Sequence, residues 1–238
     1  MAGETKEMGG EALAAEAPRE KTFLLAAPEE KALTWLAARL PKRVLPDHLT
    51  SLGVLAALGI AAAYLLADDH PAALWVASGL LVVHWLGDSL DGTLARFRRI
   101  ERPTYGYYLD HLVDAFATAV ICIGLGLSPH MLLATGLTIA IAYLLLSINT
   151  YLETSAFGRF DLGYGRVGPT EIRVVLIGLN IALALGVDMA GEIAGVGITL
   201  LDGIGLGVAG VMVGALAARA AKNLRVLAER EPAGTVRA

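Results

Sequence analysis

Apolar runs of about 20 residues recur along most of this 238-residue chain, and each is long enough as a helix to cross roughly 30 Å of hydrocarbon. A soluble fold of this size needs polar residues to cover its surface. Here 55% of the residues are hydrophobic and 18% charged, with a mean hydropathy of +0.60. The runs around 52–67 and 174–185 lack the polar stripe of a soluble amphipathic helix, which argues against a soluble protein with buried apolar helices. The expected fold is an all-α integral membrane protein.

Six spans are read at 49–67, 72–96, 107–128, 131–156, 169–188 and about 200–221. Residues 1–28, rich in Ala, Glu and Gly, lack the basic start and apolar core of a secretory signal, so a disordered cytosolic tail is expected there. Residues 29–44 read as an interfacial amphipathic helix, too short to span. Leu33, Trp35, Leu36 and Leu40 form its apolar side, and Glu29, Glu30, Lys31 and Arg39 its polar one. The expected domain is the six-helix bundle over 45–222, followed by a cytosolic tail at 223–238.

The net charge of −4 matters less than where the charges lie. All 19 Lys and Arg fall in the N-terminal region, the 96–102 connection, the 159–173 region or the C-terminal end, and the loops at 68–71, 128–130 and 189–199 have none. Both termini are therefore expected on the cytoplasmic side. Cys122, the single cysteine, lies in an apolar run and reads as packing. Gly203, Gly207, Gly210 and Gly214 in the last span suit close helix approach, either within the chain or at a dimer seam.

The chemistry gathers at the ends of the second and third spans. Asp88 and Asp91 lie in GDSLDGTLARF, and Asp110 and Asp114 in YGYYLDHLVDAF. At about 100° per residue, Asp88, Asp91, Gly92 and Ala95 share one side of a helix, while Gly106, Asp110 and Asp114 form an i, i+4 stripe on the next. Two carboxylate pairs can thus converge between antiparallel neighbours. A bare carboxylate in the bilayer costs on the order of 3 kcal/mol, so the four need a cationic partner. Hard oxygen ligands at this density suit Mg²⁺ or Mn²⁺, and four carboxylates with substrate phosphates can hold two such ions. The plainer reading pairs the aspartates with Arg96, Arg98, Arg99 and Arg102. It leaves unexplained why Gly92 and Gly106 lie beside the carboxylates, where they open the backbone to a ligand. Arg96, one step round, offers a fork of donors for a diphosphate oxygen, or snorkels to the interface.

Asp88-x-x-Asp91-Gly92-x-x-Ala95-Arg96, nine residues, then Gly106-x-x-x-Asp110-x-x-x-Asp114 resembles the 27-residue signature of the CDP-alcohol phosphotransferase family of membrane enzymes. That family commonly has eight residues between the Arg and the second Gly, and the extra one here falls in the 97–105 connection. The family's six-span core, leading interfacial helix and cytoplasmic site match the layout over roughly 29–222. Pro46-Asp47-His48-Leu49-Thr50 is similar to a Pro-Asn-x-x-Thr segment of many members, with Asp47 in place of the Asn.

The resemblance implies transfer of a substituted phosphate from a CDP-linked donor to an acceptor hydroxyl, with release of CMP, in phospholipid synthesis. It implies two Mg²⁺ or Mn²⁺ ions on Asp88, Asp91, Asp110 and Asp114, with Asp114 also a candidate base. Gly92, Ala95, Arg96 and Gly106 would form the CDP-binding surface. His111 makes Asp-His-x-x-Asp, similar to the choline and ethanolamine phosphotransferase branch, and could serve as base instead; a His bonded to a neighbouring carbonyl is the plain alternative. Gly168-Pro169-Thr170-Glu171 is similar to a segment of the same branch, where Glu171 could orient His111 or bind a cationic headgroup, or simply begin a helix. Arg173, with Arg159 and Arg166, could hold a phosphate or serve as a positive-inside anchor.

These features lean toward headgroup transfer from a CDP-aminoalcohol to a lipid hydroxyl. The phosphate-capable arginines lean toward the alternative, a CDP-diacylglycerol donor with a small polar alcohol or alcohol phosphate as acceptor. Asn149, Thr150, Glu153 and Asn180 read as interhelical hydrogen bonding, and Trp35, Trp75 and Trp85 as anchors or packing. A divalent-cation transporter is the rival from another class, disfavoured because the carboxylates cluster at one membrane face rather than at the midplane. Membrane lipids and a second copy of the chain, as a homodimer, are the expected partners, and no nucleic acid.

Overall fold

The computed structural model describes residues 25–157, 168–187, 190–193 and 196–232. The elements are α1 (Ala26–Ala37), α2 (Pro46–Leu65), α3 (Ala73–Arg98), α4 (Pro103–Gly126), α5 (Leu133–Phe157), α6 (Pro169–Ala184), a hairpin of β1 (Ala190–Ile193) and β2 (Val196–Thr199), and α7 (Leu200–Arg230). The protein is an all-α membrane protein apart from that hairpin. Helices α2, α4 and α6 each begin with a proline, where the missing N–H is not needed and φ is already set. Helix α3 stops where Arg99 turns left-handed at φ 57°.

Among the described residues five helices, α2, α3, α4, α5 and α7, are long and apolar enough to cross a bilayer. Helix α6 has 16 residues and ends at Ala184 rather than 188, so it is about 24 Å long and by itself shorter than the hydrocarbon layer. Helix α7 runs on to Arg230 instead of ending near 221.

Helix α2 packs on both α3 and α4; α4 continues to α5 and α5 to α7, while α3 carries α6 on its other flank and α1 against its end. The starts of α2, α4 and α6 therefore lie with the finishes of α3, α5 and α7, at the end that carries the aspartates. The α2–α3 contact is closest at Gly53 and Gly87. A Cβ on Gly87 would sit 2.6 Å from the Gly53 nitrogen and 2.7 Å from the Leu49 oxygen.

The far half is filled by Ile60, Tyr64, Leu74, Leu81, Leu125, Met131 and Leu201, with Leu176, Ile177 and Leu183 of α6 packed against them. Tyr64 Oη donates to Asn180 Oδ1 at 3.2 Å inside this core, the interhelical role expected for Asn180. At the aspartate end a smaller cluster of Leu33, Ala37, Leu49, Leu90 and Leu94 seats α1 on α3.

Several expectations need correcting. Trp35 is 55% exposed with Arg39 stacked on its ring, because it lies about 200° round α1 from Leu33 and so cannot share the buried face. The 189–199 connection contains a hairpin, its strands in register with Ala190 opposite Thr199. Gly203, Gly207, Gly210 and Gly214 meet open space, whereas Gly205 and Ala209 are buried; Gly205 faces Ile139 and Thr135 of α5. The small-residue stripe thus makes no packing seam among the described residues. Glu153 does bridge helices, accepting from Arg219 Nε at 2.8 Å and from Asn223 Nδ2 of α7, besides Asn149 Nδ2 of its own helix.

Candidate active site

Asp88 and Asp91 stand on the last turns of α3, and Asp110 and Asp114 on the first half of α4. Because both helices lean on α2 rather than on each other, a cleft remains between them. Carboxylate oxygens of Asp88, Asp110 and Asp114 lie within 4.8 Å of one another. Asp91 lines the same cleft with Asp88, Asp110, Thr50, Gly53, His84 and Val113. Like charges at this spacing repel by about 3 kcal/mol per pair at an effective dielectric of about 20.

Arg96 and Arg98 in the last turn of α3, and Arg102 after it, are engaged elsewhere. Arg96 donates to Thr93 Oγ1 at 3.3 Å. Arg98 reaches the carbonyls of Leu40, Pro41 and Val44, clamping the turn after α1 onto the end of α3. Arg102 pairs with Asp47, whose carboxylate raises the arginine's pKa, and lies over the Tyr105 ring. An acid at position 47 thus ties the start of α2 to the α3–α4 connection. The cation that enters the site is Arg173 of α6, only 12% exposed, whose Nη2 donates to Asp88 Oδ2 at 2.6 Å. Among the described residues, four carboxylates meet one guanidinium, which leaves a deficit of three positive charges.

Thr50, from the segment that opens α2, donates its hydroxyl to Asp91 Oδ2 at 2.6 Å, and the other Asp91 oxygen accepts from Gly92 N. The backbone at Gly106 faces open space, while Gly92 is met by the Arg96 guanidinium, with a Cβ there 3.3 Å from Nη1. Ala95 is partly buried beside them.

His111 is held to one side of the carboxylates. Its Nδ1 lies 2.7 Å from the Tyr107 carbonyl and 3.7 Å from Asp110 Oδ2, with the ring between Tyr107 and Tyr151. Glu171 receives the Gly168 N–H on Oε2 and the Leu25 N–H on Oε1, both at 2.9 Å, so its carboxylate ties α6 to the approach of α1. Glu29 completes that tie, one oxygen accepting from Trp85 Nε1, Ser89 Oγ and Thr170 Oγ1. Arg159 and Arg166 lie outside the described residues.

Sequence reasoning missed His84, which hides in an apolar run, and Gly53 and Gly87, whose contact depends on how α2 and α3 meet. The i, i+4 spacing of His84 and Asp88 was the available signal.

A family model described as CDP-alcohol phosphatidyltransferase matches residues 43–201, about two thirds of the chain, and covers every aspartate of the cleft. No curated protein matches the chain. The family comprises transferases of phospholipid synthesis that act on CDP-linked alcohols and use a divalent metal. With that match over the cleft and the helices that build it, the chain belongs to the CDP-alcohol phosphatidyltransferase family.

Proposed function

We propose that the cleft catalyses attack of an acceptor hydroxyl on the phosphorus of a CDP-linked donor, releasing CMP. The observation that carries this is the meeting of carboxylates from α3 and α4 in one cleft, with a single arginine among the described residues to balance them. The donor set fits a divalent ion. It is all oxygen, it crowds like charge, and its remaining deficit is of the sign that Mg²⁺ or Mn²⁺ supplies. Asp88, Asp91, Asp110 and Asp114 would hold the metal, and four carboxylates with donor phosphates to complete the coordination could share two ions. When bound, it would neutralise charge growing on the leaving phosphate.

The chain's own residues do the rest. Thr50 fixes the Asp91 carboxylate, and Arg173 fixes that of Asp88. The open backbone at Gly106, with Gly92, Ala95 and Arg96 opposite, accepts the CDP moiety. As the acceptor oxygen bonds to phosphorus, the bond to the CMP phosphate breaks and CMP leaves with the electron pair. The hydroxyl proton passes to Asp114, which lies among the carboxylates. His111, whose Nδ1 lies against the Tyr107 carbonyl, is held to one side of the carboxylates and is the less favourable base on position.

The direction of transfer turns on α6. The leaning toward headgroup transfer rests on the Asp-His-x-x-Asp of His111 and on Glu171, and the Glu171 oxygens are engaged by backbone N–H groups. Arg173 instead enters the site with a buried Nη1 that has no hydrogen-bond partner among the described residues, a donor suited to an acceptor phosphate. We therefore favour a diacylglycerol-bearing donor and an alcohol phosphate acceptor. The test is Mg²⁺-dependent CMP release by purified protein from CDP-diacylglycerol, CDP-choline and CDP-ethanolamine with matching acceptors. Turnover with CDP-diacylglycerol and an alcohol phosphate is expected. Turnover with CDP-choline and diacylglycerol alone would reverse the direction, and undiminished turnover by Asp91→Ala would remove the site.

A further inference from the structure

His84 lies one turn deeper than Asp88 on α3, about 6 Å along the helix axis, and is 5% exposed. It lines the cleft with Asp88, Asp91 and Asp110, yet its enclosed Nδ1 has no hydrogen-bond partner among the described residues. A buried polar atom left in this state costs about 1–3 kcal/mol, so its persistence calls for a partner in the working protein. The neighbouring walls do not provide one. Gly53 has no side chain, Val113 is apolar, and the Thr50 hydroxyl is committed to Asp91. With no partner among the described residues, the occupant of the cleft is the natural source of one.

Direct coordination is not indicated: His84 stands outside the group of Asp88, Asp110 and Asp114 whose oxygens converge, and unlike Asp91, which is also outside it, His84 offers nitrogen rather than oxygen. Hard divalent ions keep several of their waters and prefer oxygen to imidazole nitrogen as ligand. We propose that His84 is a positioning residue whose Nδ1 hydrogen-bonds a water molecule coordinated by the divalent ion of this cleft. The proposal rests on reading the aspartates as an ion site. It gives a purpose to an imidazole at the floor of the cleft, where an apolar side chain would pack as well. Outer partners of this kind orient the ligand shell, and their loss typically weakens metal binding by about 10–100-fold.

The test is Mn²⁺ titration of the full-length detergent-solubilised protein by electron paramagnetic resonance, without nucleotide, alongside thermal unfolding without metal. His84→Phe keeps the ring volume and removes both nitrogens. His84→Asn returns a polar amide atom near the position of Nδ1. The expected result is a loss of about 10–100-fold in Mn²⁺ affinity for His84→Phe with no fall in Tm, and recovery of most of it in His84→Asn. Should His84→Phe fail to fold, His84→Leu takes its place under the same criteria. Unchanged Mn²⁺ affinity in the apolar variant, or no recovery in His84→Asn, overturns the proposal. Asp110→Asn separates the two readings. If it binds Mn²⁺ like the parent, the ion site itself falls; if it loses binding while the apolar His84 variant does not, the role of His84 alone falls.

Discussion

The two ends of the helix bundle handle buried acid in opposite ways. At the far end Asp202 is 2% exposed, and the protein satisfies it: Oδ1 accepts the Leu132 N–H at 2.8 Å, and Oδ2 accepts the Thr199 N–H at 2.8 Å and the Thr199 hydroxyl at 3.1 Å. That carboxylate closes the start of α7 and fastens it to the α4–α5 connection. At the other end three carboxylates crowd one another, and among the described residues a single guanidinium reaches them. A carboxylate surrounded by backbone donors holds a structure together, whereas carboxylates gathered around a shared cleft are arranged for something that arrives later.

Substitutions at the two ends should therefore fail differently. The largest effect is expected from Asp110→Ala, which should lower CMP release by about 10²–10³-fold or more while leaving the unfolding temperature without metal unchanged or raised, since like charge is removed. A comparable loss of activity from Asp202→Ala in folded protein would break the distinction.

Next comes Gly87→Ala. The added Cβ would press on the Gly53 and Leu49 backbone, and the expected destabilisation is about 1–3 kcal/mol, with a further loss of activity because α2 carries Thr50 toward Asp91. The matched control is Gly207→Ala, whose Cβ meets open space and should change neither quantity. Thermal unfolding and CMP release on both variants measure this.

Asp202→Ala should cost about 1–2 kcal/mol by orphaning the backbone donors it caps, read as a lower Tm with turnover per folded molecule preserved. The smallest effect is expected from Arg102→Ala, whose exposed pairing with Asp47 should give no measurable change in Tm and none in CMP release at moderate salt.

The sequence made the aspartate end legible because helical periodicity is local. Asp88 and Asp91, and Asp110 and Asp114, could be assigned to facing stripes from their spacing alone, and the spans follow from apolar runs of sufficient length. Residues acting through tertiary contact stayed hidden. The Arg173–Asp88 pair joins positions 85 residues apart and depends on α6 lying against α3. Glu171 read as a helix start or, slightly favoured, as a group that orients His111 or binds a headgroup, and its contact with the distant Leu25 N–H is not visible in the sequence. Asp202 attracted no notice because a lone acid in a loop-to-helix junction gives no sign of which backbone groups it will meet. Trp35 was grouped with the apolar side of α1 on hydrophobicity, although its angular position already placed it outside.

The central claim is that carboxylates from α3 and α4 form one divalent-ion site. It is tested most directly by anomalous diffraction from crystals of the protein grown with Mn²⁺. The account predicts an anomalous peak between α3 and α4 within about 2.0–2.3 Å of carboxylate oxygens from both helices, including Asp88 and Asp110, and absent in Asp110→Asn. A cleft without a peak while Mn²⁺ occupies another acidic position such as Glu153 would contradict it.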